Sequence, residues 1–122
     1  MTYQRFEELP VWTDAIDLAV KIYELTEKEN FKGKYSLRDQ IERAAVSISN
    51  NIAEGFERGT TQELLTFLYI ARGSAGEVRS MLCLFERIPA FSNLKPKAES
   101  ISRLLRAWAD SCKTPTSKAN VT

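Results

Sequence analysis

Residues 60–87 read TTQELLTFLYIARGSAGEVRSMLCLFER, and this stretch has the spacing of a long amphipathic helix. Its apolar residues recur alternately four and three positions apart, a period that places them along one face of an α-helix. Thr60 and Glu63, at the start of this stretch, form a Thr-x-x-Glu capping box, which predicts that the helix begins there. An apolar seam of this spacing is typical of helices in antiparallel bundles. The seam consists of Leu64, Leu68, Ala71, Ala75, Val78, Leu82 and Phe85.

Three other segments carry a similar helical period, and no run alternates with the two-residue period of a half-buried strand. Ser36, with Asp39 three residues later, predicts a second capping box. Phe56, at the end of the second helix, and Phe91, in the loop before the last helix, could be exposed, and either could then stack on a base. We therefore predict one all-α domain over residues 1–112, an antiparallel up-down-up-down four-helix bundle, followed by a flexible polar tail at 113–122. The predicted helices span about 11–29, 36–58, 60–87 and 94–112.

Composition limits the kinds of function. The 122 residues are 43% hydrophobic and carry a net charge of +1, as in ordinary globular domains. The sequence has no histidine, which excludes His-dependent catalytic triads and the commonest metal ligand. Cys83 and Cys112 are too few for a cysteine-rich zinc site. No stretch resembles a membrane span or a secretory signal. We expect a cytoplasmic protein without catalytic residues, metal or cofactor.

A more specific pattern lies in the middle of the chain. It comprises QIERAAVSI at 40–48, NIAEG at 51–55 and FLYIARGS at 67–74. Together with Phe6, Leu9, Val11, Trp12 and Ala15, these stretches resemble the four-helix-bundle proteins encoded in intervening sequences of bacterial 23S ribosomal RNA genes. That family is similar in fold to the accessory proteins of diversity-generating retroelements. The resemblance covers about residues 6–86.

The resemblance implies a small bundle that assembles into a ring, typically a homopentamer. It also implies a suspected nucleic-acid role and no established enzymatic activity. The sequence departs from the family at Glu42, where a basic residue is usual, and at Ser49-Asn50, where Pro-Ser is usual.

Charge is distributed unevenly along the chain. Residues 1–30 contain three basic and seven acidic residues, a net charge of −4, whereas residues 72–122 contain nine basic and four acidic residues, a net charge of +5. A local excess of this kind can support phosphate contacts even when the net charge is near zero. The alternative is a solvated face that complements the acidic first helix of the same or a neighbouring subunit. The candidate nucleic-acid contacts are Arg72, Arg79, Lys95, Lys97, Arg103 and Arg106.

A polar stripe lies beside the apolar face of the second predicted helix. It could be a contact site for a small ligand or a base. The preferred alternative is a hydrogen-bonded network that fixes helix register or subunit docking, in which Arg43 and Glu54 could pair with each other. An enzyme that uses these two residues is a third and weaker interpretation. The stripe consists of Arg43, Ser47, Asn50, Asn51 and Glu54.

The third predicted helix carries two glycines away from its apolar seam. Each costs about 1 kcal/mol relative to alanine in a helix, which suggests that another subunit's helix approaches the backbone there. The alternatives are close packing within the bundle or a tolerated weak point. The candidate interface consists of Tyr69, Gly73, Gly76 and Ser80.

Surplus apolar residues also argue against a monomer. The surplus consists of Val11, Leu18 and Leu25, which widen the stripe of the first helix, and of Val46 and Ala53 on the back of the second. Tyr23, on the first helix, is expected to be a core residue. We therefore hypothesise a non-enzymatic homo-oligomer, with the pentamer taken from the resemblance. Its partner would be structured RNA, a ribonucleoprotein or a nucleic-acid-processing protein. The alternative is a protein-interaction scaffold without autonomous nucleic-acid binding.

Overall fold

The computed structural model of the protein describes residues 3–28, 31, 34–87 and 89–113. Across these ranges the structure is helical and contains no strand, so the all-α prediction is confirmed. The predicted tail at 114–122 lies outside the described residues. A 3₁₀ turn at Phe6–Glu8 precedes the helices, and a one-turn helix separates the last two long ones. The helices are α1 (Pro10–Lys28), α2 (Tyr35–Glu57), α3 (Thr61–Leu84), the one-turn α4 (Pro89–Ser92) and α5 (Lys95–Lys113).

The core forms where the apolar stripes of the four long helices meet. The predicted seam of α3 is inside it, since Leu68, Ala71, Ala75, Val78 and Leu82 are all fully buried. The helices α2 and α5 lie on either side of α3, and both also contact α1. This arrangement is a four-helix bundle, as predicted.

Contacts along α3 run in opposite directions to those along its neighbours. On α2, Gln40 is bonded to Glu77 and Ser47 to Ser74, so residue numbers fall on one helix as they rise on the other. On α5, Lys113 lies over the ring of Tyr69. The start of the same helix lies beside the later part of α3. Both pairs of helices are therefore antiparallel.

The turn between α2 and α3 is held by one cap and one arginine. The Thr60 hydroxyl accepts a hydrogen bond from the Glu63 backbone N–H at 3.1 Å, as the capping box predicts. Arg58 reaches the carboxylates of Glu54 at 3.1 Å and Glu63 at 3.8 Å. Its guanidinium also lies 4.7 Å from the centre of the Phe67 ring. These contacts join the end of α2 to the start of α3.

The second predicted capping box is wrong. Helix α2 begins at Tyr35, so Ser36 already lies inside the helix and its side chain is exposed. The backbone N–H groups of Leu37 and Arg38 donate to the Lys34 carbonyl, which makes Lys34 the first residue of the hydrogen-bonded turn. A serine can cap a helix only from the position before its first turn.

An aromatic cluster fills one end of the bundle. Helix α3 ends at Leu84, three residues earlier than predicted, and Phe85 turns inward. Its ring centre lies 5.7 Å from that of Phe31 and 5.2 Å from that of Phe91. Phe91 is fully buried, so it is not available to stack on a base, and Phe56, the other candidate, is partly buried. The one-turn helix α4 carries this ring into the core.

Two predictions about α1 are also wrong. Val11 and Leu18 are fully buried and add nothing to the apolar surface. Tyr23, expected in the core, is 42% exposed. Because α1 contacts both α2 and α5, its buried arc is wider than one helix–helix seam and is centred away from Tyr23.

Candidate nucleic-acid interface

Helices α3 and α5 bring several of the predicted cationic contacts together. Arg79 from α3 and Lys95 from α5 line one surface groove of about 250 Å³. At about 100° per residue, Arg72 lies on the same flank of α3 as Arg79, two turns away. By the same geometry, Arg106 and Lys113 share a flank of α5 with Lys95. We call these five residues the basic seam: Arg72, Arg79, Lys95, Arg106 and Lys113.

Carboxylates offset only part of the positive charge of the basic seam. Glu99 lines the groove with Lys95, and Asp110 lies 4.0 Å from Nε of Arg106 and 3.6 Å from Nζ of Lys113. Exposed ion pairs of this kind contribute at most about 1 kcal/mol, so they do not prevent either cation from binding another anion. Among the described residues, Glu99 and Asp110 are the carboxylates shown to line the groove or pair with these five cations, so the seam keeps a net positive charge.

Lys113 is held in place by an aromatic neighbour. Its Nζ lies 5.4 Å from the centre of the Tyr69 ring. Hydrogen bonding to Tyr69 is the main cause that raises the pKa of Lys113, with a smaller contribution from Asp110. The ammonium group therefore remains charged at neutral pH.

Two predicted contacts lie apart from the basic seam. Nζ of Lys97 is 3.0 Å from a carboxylate oxygen of Asp17 and 3.8 Å from one of Asp14, both on α1. Hydrogen bonds from Lys97 and then Lys21 lower the pKa of Asp17. Lys97 thus complements the acidic first helix within the subunit, as the alternative interpretation expected. Arg103 is exposed and points outward from the middle of α5.

Lys113 and Cys83 were not among the predicted contacts. Lys113 was assigned to the tail, yet it is the last residue of α5. A signal for its position was its spacing of 18 residues from Lys95, which is five helical turns. Cys83 lines the groove of Arg79 and Lys95, with an exposed side chain.

The predicted subunit interface adjoins the basic seam. Gly76 and Ser80 line the groove that Arg79 also lines. A Cβ atom added to Gly73 or Gly76 would have no neighbour within 4 Å, which excludes close packing within the bundle as the reason for these glycines. Tyr69 is 44% exposed. The two predicted surfaces therefore share one side of the molecule.

The polar stripe of α2 lies mostly against α3. Ser74 on α3 donates a hydrogen bond to the Ser47 hydroxyl at 2.8 Å, and the Asn51 amide donates to the Ser47 carbonyl, also at 2.8 Å. Arg43 and Ser47 line a polar groove of about 560 Å³ between the two helices. Asn50 lies on the other flank of α2, in a groove shared with α1. Ser47 and Asn51 thus join a network that links α2 to α3.

The predicted ion pair between Arg43 and Glu54 is wrong. Glu54 pairs instead with Arg58 at 3.1 Å, one helical turn away. Eleven residues of helix separate Arg43 from Glu54, a rise of about 16 Å, which exceeds the reach of the two side chains.

Glu42, where the family usually has a basic residue, is buried between α1 and α2. Its carboxylate accepts hydrogen bonds from the Thr26 hydroxyl and from Nε of Arg38, the latter at 3.2 Å. The residue fastens α1 to α2 and lies away from the basic seam. The departure from the family pattern therefore leaves the candidate contacts unchanged.

Within the described ranges, no group of three or more His, Cys, Asp or Glu residues could hold a metal ion. Among the same residues, no helix combines the length and apolarity needed to cross a membrane.

Comparison with known proteins gives the family. Residues 7–107 match the family described as 23S rRNA-intervening sequence protein. The matched region runs from the 3₁₀ turn into α5, so it extends beyond the residues that carried the resemblance in the sequence. No curated protein matches the chain. Because the family match spans most of its length, this chain belongs to the 23S rRNA-intervening sequence protein family.

Proposed function

We propose that this protein is a non-enzymatic, cytoplasmic oligomer that binds structured RNA, alone or within a ribonucleoprotein, through the basic seam. The observation that carries the proposal is the convergence of Arg79 and Lys95, from two different helices, on one exposed groove. The family name refers to 23S ribosomal RNA, which supports RNA as the polyanion.

The length of the basic seam suits a nucleic-acid backbone. The 11 residues of helix from Lys95 to Arg106 rise about 16 Å, which is long enough to meet more than one phosphate in succession. In a homo-oligomer the seam is repeated on every subunit. Linked copies raise the effective concentration of the second and later contacts, so a modest patch can bind tightly.

Salt dependence of RNA affinity tests this proposal. Fluorescence anisotropy of a structured ribosomal RNA fragment is measured between 50 and 200 mM salt for the unaltered protein and for Arg79→Ala/Lys95→Ala. We expect log K to fall linearly with log salt and the slope to become shallower by about two units in the double variant, since each lost phosphate contact removes nearly one. Arg43→Ala, which removes a cation from the α2/α3 groove, is the matched control and keeps the original slope.

Equal slopes in the double variant and the control would show that the groove of Arg79 and Lys95 is not the RNA site. Absence of binding at both salt concentrations would remove autonomous RNA binding altogether. The protein-interaction scaffold would then be the better proposal, and the exposed α3 face around Gly73 supports it.

Cys83 offers a second test that reports position. In a Cys112→Ser variant, Cys83 is the only thiol of the chain. Because it lines the groove with Arg79 and Lys95, RNA bound there should slow its alkylation by the uncharged reagent iodoacetamide. Alkylation is followed by mass spectrometry with and without saturating RNA. An unchanged rate at saturation would place the RNA elsewhere on the surface.

A further inference from the structure

A groove between α1 and α2 combines an apolar floor with an acidic rim. Its volume is about 390 Å³, and Ile16, Val20, Tyr23 and Val46 supply apolar surface. Val20 is 50% and Tyr23 is 42% exposed. The charged residues that line it are the carboxylates Glu24 and Glu27, and the described lining contains no basic residue. The groove is therefore suited to an apolar surface with basic neighbours, and its charge disfavours RNA.

A surface of that kind lies on α3 of the same chain. Tyr69 and Ile70 are 44% and 46% exposed, and Gly73, one turn from both, leaves the helix backbone open. We call these three residues the α3 patch. Lys113 contacts the Tyr69 ring, and Arg72 lies on the adjacent flank of α3. The patch thus has the apolar character and the flanking cations that the groove lacks.

We propose that the α1/α2 groove of one copy binds the α3 patch of a second copy, with Glu24 and Glu27 opposite Lys113 and Arg72 of that copy. In the oligomer these two cations of the basic seam lie in the subunit contact, and Arg79, Lys95 and Arg106 are the ones left for RNA. Complementarity of charge selects the second copy as the occupant, because both halves of the contact are present on this chain. The inference rests on the oligomer of the proposed function and specifies how it is built.

The geometry of this contact has a consequence for assembly. The groove and the patch are different surfaces, so the contact is heterologous: each subunit uses its groove toward one neighbour and its patch toward another. Repetition of a heterologous contact yields a closed ring or an open filament rather than an isolated two-fold dimer. A subunit with an altered groove should therefore still bind, through its intact patch, a subunit whose patch is altered.

Mixing two variants tests the proposal. Val20→Asp places a charge in the groove and leaves the patch intact, whereas Ile70→Asp places a charge in the patch and leaves the groove intact. Both positions are about half exposed, so both variants should keep the circular dichroism of the unaltered protein. Leu84→Asp is the control, because Leu84 is 62% exposed and lies about 21 Å along α3 from Ile70.

Masses are measured by sedimentation velocity. We expect the unaltered protein and Leu84→Asp to assemble, and Val20→Asp and Ile70→Asp each to sediment as monomers. A 1:1 mixture of the two monomers should give a heterodimer and nothing larger. The intact patch of the Val20→Asp chain fits the intact groove of the Ile70→Asp chain, and no further complementary pair remains.

Assembly of either single variant like the unaltered protein would overturn the inference, as would a mixture without heterodimer. In both cases the unaltered protein would still be an oligomer, so the proposed function would stand with another interface. A monomeric unaltered protein would instead overturn the oligomer and the interface together. RNA anisotropy of that monomer would test the basic seam separately.

Discussion

The two flanks of α3 differ in how their polar and small residues are used. Toward α2, Ser74 is bonded to Ser47, Glu77 is bonded to Gln40, and Gly55 allows the backbones to approach closely. Toward α5, the cations outnumber their carboxylate partners, and Gly76 borders open space. The polar groups on the α2 flank are thus hydrogen-bonded within the protein, whereas the α5 flank leaves cations available for a partner. Similar residue types serve structure on one side and, under the proposed function, binding on the other.

The largest expected effect on the free energy of unfolding comes from replacing a glycine that packs between α2 and α3, in contrast to one that lies on the open side of α3. A Cβ atom at Gly55 would lie 2.9 Å from Cβ of Phe67, an atom that cannot move without its backbone. Gly55→Ala should therefore lower the free energy of unfolding by about 1–3 kcal/mol. Gly73→Ala, in open space, should raise it by up to about 1 kcal/mol. Urea denaturation followed by circular dichroism measures both, and equal changes would contradict the contrast.

A smaller effect on the free energy of unfolding is expected from replacing serines on the two flanks of α3. Ser47→Ala removes the acceptor of the Ser74 hydroxyl and one acceptor of the Asn51 amide, so it should lower the free energy of unfolding by about 1 kcal/mol. Ser80→Ala, at an exposed position of the groove that Arg79 and Lys95 line, should leave the free energy of unfolding within about 0.5 kcal/mol of its original value. The same urea titrations apply. A loss at Ser80 as large as that at Ser47 would show that the α5 flank is also structural.

The smallest expected effect concerns the ion pairs between α1 and α5. It tests whether charges on this side of the molecule are paired within the subunit, as the polar groups between α2 and α3 are. Asp17 has a pKa below its ordinary value of 3.8 because Lys97 and Lys21 donate to it. Its stabilising contribution is therefore present above pH 3.8 and disappears as the pH falls through the native pKa.

Asp17→Asn should accordingly lower the thermal midpoint slightly at pH 6–7, and the difference should vanish in acid. Thermal melts of both proteins across this pH range measure it. A difference that persists below the native pKa would mean that the carboxylate charge is not its source.

Local periodicity was sufficient for the helices and for most of the core, because a buried stripe must repeat with the helical turn. The Thr60 cap was equally local. The Ser36 cap failed because its position depends on where Lys34 begins the first turn. Phe91 was misplaced because its burial requires α4 and the distant ring of Phe31, a contact that no neighbouring residue indicates.

The candidate site was only partly predictable for a similar reason. The excess of positive charge in the second half is visible in composition, and it pointed to Arg79 and Lys95 individually. Their convergence depends on the rotation of α3 against α5, which the sequence pattern of either helix alone does not determine. The same pattern could not reveal that Lys97 faces α1, where Asp17 binds it.

The contacts of Arg58 also bear on the order of folding. This one side chain joins Glu54, Glu63 and Phe67 across a connection of three residues, so the hairpin of α2 and α3 closes a very short loop at little entropic cost. Local contacts of this kind form early, whereas α1 and α5 must close longer segments of chain. We therefore expect the α2–α3 hairpin to be the folding nucleus. Substitutions within it should slow folding, whereas substitutions along α5 should mainly accelerate unfolding.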